Sequence, residues 1–116
     1  MIDLKKRTYE FSLQIIKFLE SLSRDYVSLT MGKRLLRSGT SVGANVIEAY
    51  GASSRKDFAN FYNHVLKSAN ESIYWLQLLR DSNKGKGESA VFLIRECQEL
   101  SKILGASLVS LRKKSS

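Results

Sequence analysis

The sequence has no proline, one cysteine, one histidine and only seven glycines in 116 residues. Since proline breaks helices and strand-rich folds need many turns, these counts favour long helices over sandwiches and barrels. A single cysteine excludes an internal disulfide and a multi-cysteine zinc site, and a single histidine excludes most histidine-based metal sites. No apolar run approaches the roughly 18 residues of a membrane span, and residues 1–7 do not resemble a signal peptide. We expect a cytoplasmic protein with no cofactor, no metal site and no membrane contact.

The composition is that of a folded domain with an excess of positive charge. Hydrophobic residues make up 43% and charged residues 26% of the chain, and 19 Lys/Arg against 11 Asp/Glu give a net charge of +8. This balance excludes a disordered polycation, and the length predicts one domain over residues 1–116. An excess of this size attracts phosphate backbones and steers their approach.

Four segments repeat apolar residues with the period of an amphipathic helix, at about residues 3–24, 29–50, 55–81 and 88–113. The predicted core-facing residues are Phe11, Ile15, Ile16, Phe18, Leu19 and Leu22 in the first segment, Leu35, Leu36, Gly39, Val42, Gly43, Val46 and Tyr50 in the second, Phe58, Phe61, Tyr62, Val65, Ala69, Ser72 and Leu76 in the third, and Leu93, Cys97, Leu100, Leu104, Leu108 and Leu111 in the fourth. Similar lengths and short links predict an all-α, antiparallel, up-down-up-down four-helix bundle. Ser54, three residues before Asp57, is the expected N-cap of the third helix.

The second segment carries two glycines, Gly39 and Gly43, in its middle. Each costs about 1 kcal/mol relative to alanine in a helix, so propensity alone would allow a break at residues 38–43. The apolar stripe keeps its phase across the glycines, however. We therefore predict one continuous helix whose small residues permit another backbone to approach closely.

The side chains that usually carry catalysis do not support an enzyme. His64 is interpreted as a partly exposed structural histidine rather than a general base. Cys97 falls in a core-facing stripe and is interpreted as a small buried hydrophobe rather than a nucleophile. Glutamates could imitate the inward ligands of a di-iron bundle, but that site needs Glu-x-x-His pairs, and no glutamate precedes His64 by three residues.

Basic residues recur in short clusters along the chain. The candidate phosphate-binding residues are Lys33, Arg34, Arg37, Arg55, Lys56, Lys84, Lys86, Arg112 and Lys113. No aromatic RNA-binding motif or zinc finger accompanies them, so any nucleic acid would be contacted mainly through its phosphates. The alternative is that these side chains only cover solvated helix faces.

A second surface is predicted on the side of the second helix away from its core stripe. It consists of Arg34, Arg37, Ser38, Ser41, Asn45 and Glu48, in which small polar residues lie between charged ones. On the third helix, Tyr74 and Leu78 point away from the core stripe and Trp75 lies at its flank. Apolar side chains outside the core need a partner, so we expect self-association. The alternative is a tilted helix with a few exposed aromatic residues.

Three motifs in order resemble those of small bacterial four-helix-bundle proteins, a family that includes proteins encoded within intervening sequences of large-subunit ribosomal RNA genes. The motifs are RSGTSVGANVIE at residues 37–48, SRKDF at residues 54–58 and KSANESIYWL at residues 67–76. They are similar to the family segments RS-x-x-S-x-x-x-N-I-x-E, S-x-x-[DE]-F and A-x-E-x-x-Y-W-L.

This resemblance implies a bundle that assembles as a ring, with five copies around a central channel. It implies no established activity. A related bundle, the accessory variability protein of diversity-generating retroelements, is a basic pentamer associated with reverse transcriptase and nucleic acid. The matched polar residues, expected to fix helix packing and subunit contacts, are Arg37, Ser38, Ser41, Asn45, Glu48, Asp57 and Glu71.

The favoured hypothesis is a non-enzymatic homo-oligomer that binds RNA or DNA through its basic surface. The alternative is an oligomeric scaffold that recruits a protein partner without nucleic acid. The third hypothesis is a metal-dependent oxidase with its site in the bundle core.

Overall fold

The computed structural model describes the backbone of residues 3–115 and the side chains of residues 3–113. Four helices follow one another along the chain: α1 (Leu4–Glu20), α2 (Tyr26–Tyr50), α3 (Arg55–Asp81) and α4 (Gly87–Ser115). Each helix packs on the next, and α4 packs back on α1, which gives an elongated body of 49 × 22 × 20 Å. The predicted all-α four-helix bundle is confirmed, and the described part of the chain contains no strand.

Helix ends depend on side-chain caps. The Asp25 carboxylate accepts a hydrogen bond from the Ser28 amide at 2.9 Å, so α2 begins at Tyr26 rather than near residue 29. Hydrogen bonds from Ser23 and Ser28 hold the pKa of Asp25 well below its usual range. The first helix, α1, ends at Glu20 instead of near residue 24, and the Ser21 hydroxyl that follows donates to the Phe18 carbonyl oxygen at 2.6 Å. The predicted cap at Ser54 is confirmed.

Close approach of α1 and α2 is made possible by the two mid-helix glycines. A Cβ atom at Gly39 would lie 3.1 Å from two side-chain carbons of Ile15, and one at Gly43 would lie 3.3 Å from the Thr8 carbonyl oxygen. Both distances are tighter than ordinary van der Waals contact, so glycine is the residue that fits. The continuous helix is confirmed, and the cost of its glycines in propensity is offset by backbone packing.

Most of the predicted core stripe is buried and some of it is half-buried, but three of its residues are exposed. Ile16, Leu36 and Tyr50 are exposed, Tyr50 by 52%. Because glycines bring α1 and α2 close together, Ile16 and Leu36 lie at the outer, exposed edge of the seam between these two helices. Tyr50 is the last residue of α2, where its ring meets Phe58 edge-on at 6.1 Å and its face lies under the Lys5 ammonium.

The seam between α1 and α4 is closed by one ion pair. Arg7 donates two hydrogen bonds of 2.8 Å to the two carboxylate oxygens of Glu96. These bonds raise the pKa of Arg7 further above its usual value. A two-point contact of this kind fixes the geometry of the pair as well as its charge, and it sets the register of α1 on α4.

Candidate functional surfaces

The first and third sequence motifs meet at the outer seam between α2 and α3, which we call the motif face. Its register is set by Ser38 and Ser72, whose buried hydroxyl oxygens lie 2.9 Å apart. Ser41 and Asn45 follow Ser38 by three and seven residues, which places them on the same side of α2. Both are half-buried. The motif face therefore combines residues from the first and third motifs.

Ser38 corrects one prediction. It was expected on the side of α2 away from the core, but only 4% of it is exposed. Its hydroxyl is accommodated because Ser72, another small hydroxyl residue, faces it from α3 and also bonds the Ser68 carbonyl oxygen at 2.8 Å. A polar side chain can be buried where its partner satisfies it.

Short polar residues of the motif face bond within their own helix. Ser41 donates to the Arg37 carbonyl oxygen at 2.8 Å, and Asn45 donates to the Ser41 carbonyl oxygen at 2.9 Å. Within the described residues, neither Arg37 nor Glu48 forms an ion pair, and both are exposed. These two charges therefore remain available to groups outside the bundle.

Further along α3 lies an aromatic patch that consists of Tyr74, Trp75 and Leu78. Tyr74 is 55% exposed and Leu78 is also exposed, while Trp75 is half-buried. The Trp75 indole N–H donates to Glu71 Oε2 at 3.1 Å, which orients the indole along α3.

Asp57, another residue of the matched motifs, lies in the first turn of α3, where its backbone amide donates to the capping Ser54 hydroxyl at 3.0 Å.

A larger apolar surface lies along the seam of α1 and α2, and the predicted core stripes did not indicate it. This α1–α2 face consists of Tyr9, Leu13, Ile16, Leu36 and Ile47, all exposed. Tyr9 and Ile47 are 64% and 56% exposed and line a hollow of about 260 Å³ whose floor includes Gly43. The signal for it is a second apolar stripe of helical spacing on α1, in which Ile16, assigned to the core stripe, is joined by Tyr9 and Leu13, which lie outside that stripe.

One group of predicted phosphate-binding bases lies where the α1–α2 and α3–α4 connections meet. Lys84 Nζ is 3.4 Å from Asp25 Oδ1. Lys86 lines a groove of about 620 Å³ beside Ser21, and Lys33 borders a hollow near the same connection. This loop-end group consists of Lys33, Arg34, Lys84 and Lys86.

A second group lies near the opposite end of the bundle. Arg55, Lys56 and Arg112 line one hollow of about 330 Å³ between α3 and α4, and Lys113 follows in sequence. Arg37, in the middle of α2, belongs to neither group. Because the bundle is 49 Å long, the predicted bases form two separate groups rather than one patch.

No three metal-ligating side chains come together among residues 3–113, and His64 lies exposed on α3. The interpretation of Cys97 as a core residue is confirmed. Within the described residues no helix is long and apolar enough to span a membrane.

We expect Cys97 to be chemically inert in the folded protein. Burial raises the pKa of its thiol far above the usual value, so almost no thiolate exists near neutral pH. Its reaction with a chromogenic disulfide reagent at pH 8 should be about 100-fold slower than in guanidinium-unfolded protein, followed by absorbance. Equal rates in the two states would contradict the packing of α4.

Comparison with known proteins agrees with this architecture. A family model described as "23S rRNA-intervening sequence protein" matches residues 2–106. The crystal structure of a protein of unknown function from the S23 ribosomal protein family, from Bacteroides thetaiotaomicron, has 37% sequence identity and a TM-score of 0.85, over 91% of this chain and 98% of that one. No curated protein matches the sequence. The resemblance found in the three motifs is confirmed, and the chain belongs to the 23S rRNA-intervening sequence protein family.

Proposed function

We propose that the protein is a non-enzymatic, cytoplasmic helical bundle that assembles into a ring and binds nucleic acid through phosphate contacts. The observation that carries the nucleic-acid part is the net charge of +8, with bases such as Lys33, Arg34 and Arg37 exposed on the surface. Three ion pairs occur in the described part of the chain, and Lys33, Arg34 and Arg37 take part in none of them. The name of the family, which refers to an intervening sequence of 23S rRNA, makes RNA the first ligand to test.

Self-assembly is supported by two unlike apolar surfaces on different sides of the bundle. The α1–α2 face and the aromatic patch each expose large side chains that a lone protomer leaves in water. Contact between unlike surfaces is head-to-tail, and such contacts close into a ring when the rotation between copies allows it. A ring of five copies, as the family resemblance implies, would also add the positive fields of its subunits.

The test of nucleic-acid binding is a filter-binding series with RNA between 50 and 200 mM salt. Since each phosphate contact releases counterions, four or more contacts should weaken binding of single-stranded RNA by at least about 50-fold over this range. RNAs of different sequence should be retained alike. If RNA is not retained at 50 mM salt, the nucleic-acid part of the proposal is wrong.

A second candidate function is a scaffold that recruits a protein partner, which the breadth of the exposed α1–α2 face also favours. Affinity capture with and without nuclease separates the two functions. A partner that stays bound after nuclease treatment supports the scaffold, whereas a partner that nuclease releases was held through nucleic acid.

A further inference from the structure

Polar residues follow one another along the outer seam between α3 and α4, which we call the α3–α4 groove. Its residues are Lys56, Asn60, Asn63, Lys67 and Asn70 on α3, and Ser101, Lys102, Gly105 and Arg112 on α4. The α3 residues recur every three or four positions, which places them along one side of the helix. All nine are exposed or half-buried.

Contacts at two points show that the two helices present these residues to the same seam. Near one end, Lys56, Asn60, Asn63 and Arg112 line a shared hollow of about 330 Å³. Further along, the Ser101 hydroxyl donates to Asn70 Oδ1 at 3.2 Å. Lys56 and Asn70 are 14 residues apart, which corresponds to about 21 Å along a helix.

The α3–α4 groove carries more positive than negative charge. Its four bases, Lys56, Lys67, Lys102 and Arg112, have two exposed carboxylates as neighbours, Glu71 four residues after Lys67 and Glu99 three residues before Lys102. Glu71 accepts a hydrogen bond from the Trp75 indole N–H. Glu96 lies on the α1 side of α4, where it accepts two hydrogen bonds from Arg7.

The rest of the groove is suited to hydrogen bonding at close range. Asn60, Asn63 and Asn70 supply amide N–H donors between the bases. A Cβ atom at Gly105 would meet no atom within 4 Å, so the groove is open beside this glycine. An open channel lined by cations and short donors is complementary to a chain of phosphates with sugars between them.

We infer that the α3–α4 groove is the surface on which a nucleic-acid strand lies, with Lys56, Lys67, Lys102 and Arg112 at its phosphates. This inference rests on the proposed function and adds the binding site to it. The length of the groove favours a polymer over a free phosphate, because the distance of about 21 Å between Lys56 and Asn70 corresponds to roughly six nucleotide steps of 3.4 Å along one strand. Lys67 and Lys102 were not among the bases that clustering along the sequence singled out.

The experiment compares two charge-reversal variants of the full chain by fluorescence anisotropy with a labelled 30-nucleotide single-stranded RNA. K67E/K102E alters the α3–α4 groove. K6E/K17E makes the same change of charge on exposed positions of α1, and therefore serves as the matched control. Circular dichroism and light scattering establish that each variant keeps the fold and the mass of the wild type.

At 100 mM salt we expect K67E/K102E to weaken binding by about 10-fold or more and the control by less than about 3-fold. Loss of two phosphate contacts should also reduce the slope of log K against log salt by about 1.4, whereas the control should keep the wild-type slope. Equal losses in the two variants, or no loss in K67E/K102E, would overturn the groove while wild-type binding still upholds the proposed function. Absence of wild-type binding at 50 mM salt would overturn both.

Discussion

Replacement of Gly39 by valine is expected to destabilise the bundle by about 2 kcal/mol. The first added carbon would lie 3.1 Å from Cγ1 and Cγ2 of Ile15, and valine adds two more methyl groups at the same place. Ile15 is completely buried and cannot swing into solvent, so α1 must move away from α2. The higher helix propensity of valine offsets only a few tenths of a kcal/mol. Urea unfolding followed by circular dichroism gives the free energy of unfolding directly.

Gly105 provides the matched control, because it is also a helical glycine but has open space around its Cα. A Cβ atom there meets nothing within 4 Å. Gly105→Ala is therefore expected to stabilise the protein by about 0.5–1 kcal/mol through propensity alone. If Gly39→Val unfolds at the same urea concentration as the wild type, α1 and α2 do not pack through their glycines as described.

The glycines also show what a periodic pattern can predict about this fold. The phase of the apolar stripe on α2 is a property of one helix, so continuity across Gly39 and Gly43 could be predicted from the sequence. Which flank of the stripe a neighbour covers depends on how closely two helices approach, which a single-helix pattern does not contain. Ile16 and Leu36 were therefore placed in the core, although both lie at its exposed edge.

The predicted exposure of Ser38 was wrong for a related reason, because the burial of Ser38 depends on a residue far away in the sequence. Polar residues in a helix usually face water, and the hydrogen bond to Ser72 spans 34 positions. The start of α2, in contrast, has a local signal in the sequence. Asp25 stands three residues before Ser28, a spacing at which an aspartate cap can accept from a backbone amide.

The candidate surfaces depend on register even more strongly than the core does. Counting bases along the chain grouped Lys84 with Lys86 and Arg112 with Lys113, but it did not single out Lys67 or Lys102. Lys67 and Lys102 are isolated in sequence, yet they lie on the same seam because α3 and α4 pack in the register marked by Asn70 and Ser101. Total charge could be predicted, whereas its layout required the packed helices.

The head-to-tail ring makes a prediction that no symmetric dimer shares. Variant I16E/I47E damages the α1–α2 face and variant Y74E/L78E damages the aromatic patch, while both leave the buried core unchanged. Desolvating an unpaired carboxylate costs several kcal/mol, so either damaged surface should weaken its contact by at least about 100-fold. Each variant alone should then be a 13.1 kDa monomer by light scattering at about 50 µM, where the wild type forms a ring.

An equal mixture of these two variants should form a species of twice the protomer mass and nothing larger. The intact aromatic patch of one variant can bind the intact α1–α2 face of the other, and the damaged surfaces then remain at the two ends. A symmetric dimer behaves differently, because a variant that keeps the self-complementary surface would still dimerise by itself. A mixture that stays monomeric would contradict contact between these two surfaces, and a monomeric wild type at high micromolar concentration would contradict self-assembly itself.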